Sequence, residues 1–133
     1  MKEEKNILWD AKLPGLSVNL YSGRIAIHRT TLEVLGYPEF YRFLFNPVQR
    51  QLTLQSCGID DEGAHRLPEI KDGETCDVNS KDLVRLLYRT CKWNRKMSYR
   101  ILGSGFPEQR TVNFNLEDAV ELHEMKRNDE TVG

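Results

Sequence analysis

From Leu16 the chain alternates: Leu16, Val18 and Leu20 fall on one side, Ser17, Asn19 and Tyr21 on the other. That is the period of a half-buried strand. Ser22-Gly23 supplies a turn, because glycine tolerates the positive φ of short hairpin loops. Arg24 to His28 is then the predicted return strand, with Ile25 and Ile27 inward. Thr30 or Thr31 is expected to cap a short helix carrying Leu32 and Leu35 and closed by Gly36. Tyr41 to Phe45 is β-prone, Asn46-Pro47 breaks it, and Leu52 to Gln55 alternates again.

A second run of the same kind follows. Ala64 to Ile70 is a weaker strand, interrupted by Pro68. Asp72-Gly73 signals a turn, and Thr75 to Asn79 returns with Cys76 and Val78 inward. Asn79 or Ser80 is expected to cap a longer helix with Leu83, Leu86, Leu87 and Cys91 on its inner face. Met97 to Leu102 reads as a strand, Gly103-Ser104-Gly105 as a loop, and Arg110 to Asn115 as the last strand. Leu116 to Met125 is read as a terminal helix capped by Asn115.

The two runs match collinearly. Ile27-His28 with Leu32 and Leu35 corresponds to Val78-Asn79 with Leu83 and Leu86 at an offset of 51, and Pro47 to Leu54 corresponds to Pro107 to Phe114 at an offset of 60. One β-β-α-β-β unit has a sheet face too large for one short helix to cover, and a second copy is the simplest partner. The expected fold is mainly β with short helices (α+β), two β-β-α-β-β units forming a small barrel that leaves no exposed edges. The predicted organisation is an N-terminal extension over 1–15, a first unit over 16–55, an acidic linker over 56–63, a second unit over 64–115 fused with the first into one domain, and a C-terminal tail or helix over 116–133.

The first unit resembles the AbrB-type swapped-hairpin domain of prokaryotic transition-state regulators and antitoxins. The resemblance rests on Gly23-Arg24-Ile25-Ala26-Ile27, Leu35-Gly36 and the hairpin up to Leu54. Two fused copies are similar in plan to the MraZ regulators. The resemblance implies interlocked hairpins and DNA binding through basic side chains on one face. His28 replaces the family's usual proline, and Leu32 and Glu33 stand where DNA-binding members often carry arginine, so only Arg24 carries over.

Charge gives this expectation a place on the chain. The net charge is −1, yet residues 81–100 carry seven bases against one acid, while 58–77 and 116–133 are acidic. Lys81, Arg85, Arg89 and Lys92 share one predicted helix face; Arg95, Lys96 and Arg100 continue the positive run, interleaved with Tyr88, Trp93 and Tyr99. Cations beside aromatic planes can hold phosphates and stack on bases. Arg24, Arg29 and Arg50 join the candidate nucleic-acid-binding set, Arg24 and Arg50 beside turns. The plainer reading is a solvated helix face whose cations pair with the acidic segments.

Other chemistry lacks a pattern. Cys57, Cys76 and Cys91 are widely spaced and read as reduced cytoplasmic thiols. His65 near Asp60, Asp61 and Glu62 has no metal-ligand spacing, and no nucleophile or phosphate loop stands out. Neither catalytic residues, a metal nor a cofactor is expected. No signal or membrane-spanning segment is read either. The expected role is DNA-binding, regulator-like and cytoplasmic, with an acidic protein as the alternative partner and pairing of two chains left open.

Overall fold

The computed structural model describes residues 13–71 and 74–124. Strands β1 (Gly15–Asn19) and β2 (Arg24–Ile27) precede helix α1 (Arg29–Leu35), followed by β3 (Phe40–Asn46) and β4 (Gln51–Cys57). The pattern then recurs as β5 (His65–Arg66), β6 (Cys76–Asn79), α2 (Lys81–Cys91), β7 (Met97–Phe106) and β8 (Thr111–Asn115), with β9 (Val120–Glu124) last. The fold is mainly β with short helices, two β-β-α-β-β units sharing one curled antiparallel sheet. Strand order is β5-β3-β4-β8-β7-β1-β2-β6, and β9 lies along β7.

The registers show how the units interlock. At the offset of 51, Ile25 corresponds to Cys76 and Ile27 to Val78; in the β2–β6 ladder Ile25 faces Val78 and Ile27 faces Cys76. Ala26 therefore faces its own counterpart, Asp77. At the offset of 60, Thr53 likewise faces its counterpart Asn113, and their side chains hydrogen-bond at 2.7 Å. Both ladders obey a local two-fold relation between the units. The outer strands are exchanged: β1 pairs with β7 of the second unit, and β5 with β3 of the first. The Ser56 amide donates to the Arg110 carbonyl at 3.0 Å, and the Leu116 amide to the Arg50 carbonyl at 2.9 Å, which are the same bond at the same offset.

Alternation puts one side of strands β1, β2, β4, β6, β7 and β8 indoors. Leu16, Ile25, Ile27, Leu52, Leu54, Ile101, Val112 and Phe114 are fully buried, under Leu32 and Leu35 of α1 and Val84 and Leu87 of α2. Each such side chain contributes about 1.5–3 kcal/mol of apolar burial. The inner faces contributed by the two units thus meet in one interior.

Several expectations need correction. His28, rather than Thr30 or Thr31, occupies the N-cap position of α1, and it makes no side-chain cap bond. Thr31 is buried instead, its hydroxyl accepting from the Gly15 amide at 2.7 Å and donating to the Gly15 carbonyl at 2.8 Å. The inner face of α2 is Val84, Leu87 and Tyr88, flanked by Leu83 and Cys91; β6 lies one position later in the repeat than β2, so the helix register shifts. Gly103-Ser104-Gly105 is not a loop but the C-terminal half of β7, paired to β8. A Cβ on Gly103 would lie 2.7 Å from the Phe114 ring, so glycine lets that ring cross the strand. The terminal helix is a 3-10 turn (Leu116–Asp118) and then β9, because Val120 and Leu122 alternate with Glu121. Asn115 does cap that turn, accepting from the Glu117 amide at 3.1 Å. Strand β5 is only two residues long, ahead of Pro68, and no ladder joins it to β6 among the described residues. The sheet is therefore a half-barrel open between β5 and β6 rather than a closed barrel. Trp9, the residue of the N-terminal extension expected to anchor it onto the core, and the Asp72-Gly73 turn both fall outside the described residues.

Candidate nucleic-acid interface

Helix α2 draws helix propensity from its Leu, Lys and Arg residues, with Asp82 in its first turn and Arg89 in its last, both favourable to the helix dipole. Its buried arc turns Lys81, Arg85 and Arg89 outward, and all three are exposed. Lys92 ends the helix in the left-handed conformation, φ 56°, and is exposed too. Spacing by four residues sets successive cations about 6 Å apart along the axis. Among the described residues, none of these four cations is in an ion pair.

The remaining candidates divide. The Ser22-Gly23-Arg24 turn abuts the start of α2, where the Ser80 amide donates to the Gly23 carbonyl at 2.9 Å and Lys81 packs over Gly23. Arg24 itself turns to Asp77 at 3.7 Å, both side chains half exposed. Arg50 reaches the opposite end of α2: it lines a cleft with Cys91 and pairs with Glu117 at 3.6 Å. Exposed pairs of this kind are worth at most about 1 kcal/mol, so neither arginine is firmly neutralised. Arg95 and Lys96 are exposed in the turn after α2, which the Lys96 amide closes onto Asn94 Oδ1 at 2.9 Å. Arg29 lies on α1, where it pairs with Glu33 at 3.5 Å. Arg100 does not continue the helix face; it sits on β7 opposite Ser17, near His28.

The interleaved aromatics also separate. Tyr88 and Tyr99 are buried, so they cannot stack on a ligand. Trp93 is half-buried and lies parallel on Tyr99, with ring centroids 4.6 Å apart and 19° between planes. The Tyr88 hydroxyl donates to the Met97 carbonyl at 2.6 Å, and burial pushes its pKa up to about 12. The Tyr99 hydroxyl donates to Glu121 Oε2 at 3.0 Å and accepts from the Asn94 amide at 2.8 Å. Burial also raises the Cys91 thiol, with Arg50 pulling it down and Glu117 pushing it up.

Sequence patterns missed two features here. One is the cleft of about 560 Å³ at the end of α2, assembled from β4's approach, α2, the 3-10 turn and β9. The other is the 2.8 Å hydrogen bond between Ser17 Oγ and His28 Nε2 on the sheet's outer face. Both join residues from separate strands and have no linear signature. His65 stacks on Tyr41 at 5.5 Å rather than gathering the acidic loop, and no metal-holding group of His, Cys, Asp and Glu occurs among the described residues. Nor, among them, is any helix long and apolar enough to cross a membrane. The three cysteines are free, and burial raises the thiol pKa of each. Comparison with known proteins returned nothing: no family model, no curated protein and no solved structure matches the chain.

Proposed function

We propose that this protein binds DNA as a regulator-like, cytoplasmic protein of AbrB-like plan, holding backbone phosphates along α2. The observation that carries the reading is the row Lys81, Arg85, Arg89 and Lys92, exposed and outside every ion pair among the described residues. Cations already neutralised by acidic neighbours would have little to offer a phosphate; these four keep their charge for a polyanion. The exchanged outer strands support the resemblance to interlocked hairpins. The turn at Arg24 and the tip at Arg50 extend the row at either end of the helix.

A polarisation titration with mixed-sequence duplex DNA at about 50 mM salt tests this, since phosphate contacts are strongest at low salt. Binding is expected for the wild type and lost in Arg85→Glu/Arg89→Glu, whose circular dichroism should match the wild type because both side chains are exposed. Unchanged affinity in the double variant removes α2 as the interface. An acidic protein surface would meet the same cations, and wild-type protein that ignores DNA at low salt favours that partner.

A further inference from the structure

We propose that the cleft at the C-terminal end of α2 holds one unpaired nucleobase, with guanine preferred. This rests on the reading of α2 as a phosphate-binding face, and it adds what that face alone cannot supply, a means of selecting a base. The cleft is open to solvent and offers about 560 Å³, within the volume range of small-ligand pockets. Leu116, buried, and Cys91, half-buried, contribute apolar lining. Trp93 supplies an aromatic wall, its plane fixed by the parallel Tyr99 ring 4.6 Å away. Base–aromatic stacking of this kind is general to single-stranded recognition.

Selection comes from the polar lining. Glu117 and Glu121 are acceptor-only groups, so they favour a base edge that donates. Guanine presents N1–H and the N2 amino group side by side, which matches the two oxygens of one carboxylate. Thymine presents a single N–H between two carbonyls, which the carboxylates repel. Arg50, paired with Glu117 at 3.6 Å, supplies the donor that a guanine O6 requires. The cleft adjoins the exposed Lys92 at the end of the cationic row, so a strand running along α2 can deliver a base into it. A base inside a duplex is stacked and paired, and only an unpaired or extruded one can enter.

The cleft can be tested apart from the phosphates by using nucleosides. The protein has two tryptophans, so Trp9→Phe leaves Trp93 as the reporter. Guanosine is expected to quench its fluorescence saturably, with thymidine at least tenfold weaker. Glu121→Gln and Glu117→Gln should each weaken guanosine roughly tenfold, the usual scale for losing a charged hydrogen-bond acceptor. Equal or absent quenching by the two nucleosides overturns the assignment, as does unchanged guanosine affinity in both glutamine variants. Arg85→Glu/Arg89→Glu separates the two readings. It should leave guanosine binding intact while abolishing binding of a thymidine oligonucleotide that carries one guanine. If that oligonucleotide still binds fully, the phosphate reading fails and the cleft stands on the nucleoside result.

Discussion

His28 occupies the N-cap position of α1 in extended geometry, with Nε2 at 2.8 Å from Ser17 Oγ. Its pKa is lowered from 6.5, first by burial and then by the positive charge of Arg100. The folded protein therefore prefers the neutral ring, and the unfolded chain takes up the proton first as pH falls. The contribution to stability is flat above pH 6.5, turns unfavourable as pH drops below it, and levels off beneath the folded value. Chemical denaturation at stepped pH should show His28→Gln losing less stability than wild type between about pH 7 and 5, the range around an ordinary imidazole pKa. Parallel profiles for the two proteins would contradict this. The sequence showed a histidine where the resembled family has proline, but not its partners: Ser17 and Arg100 reach it across strands.

Strand β7 carries the architecture because it pairs with three others: β1 along Tyr99–Leu102, β9 along Met97–Arg100, and β8 along Gly103–Phe106. Glycine usually punctuates, so Gly103-Ser104-Gly105 reads as a loop, whereas in the fold Gly103 makes room for Phe114 within β7. Gly103→Ala forces a Cβ to 2.7 Å from that ring and 2.8 Å from the Asn113 carbonyl. Strain from overpacking of this kind costs about 1–3 kcal/mol, to be read from the urea midpoint. A midpoint within experimental error of wild type would contradict the close approach of Phe114 to Gly103. The helices were legible from apolar spacing, and the cationic face of α2 with them. Its register was not, because β6, four residues long like β2, lies one position later in the repeat and moves the helix start without altering the hydrophobic pattern much. The C-terminal strand was hidden by the preceding acidic turn, whose Asn115 cap looks the same before a helix or a 3-10 turn.

At the scale of the whole molecule, two offsets read from the sequence map onto two ladders that each cross a local two-fold. The duplicated plan was legible because buried positions repeat in order. The open side between β5 and β6 was not, since a two-residue strand leaves little pattern. The exchanged strands make the halves mutually dependent, so they should unfold together. A fluorophore on Cys57 and the fluorescence of Trp93 in a Trp9→Phe variant should give coincident urea transitions, and separate midpoints would show two independent units. That shared scaffold presents the cations of α2 to solvent. If they hold phosphates, the slope of log K against log salt for duplex DNA counts them. Arg85→Ala and Arg89→Ala should each reduce the slope by about one, while Arg29→Ala, on the other helix, leaves it unchanged. Equal slopes for all four proteins, or a loss at Arg29 matching that at Arg85, would contradict a phosphate-binding face on α2.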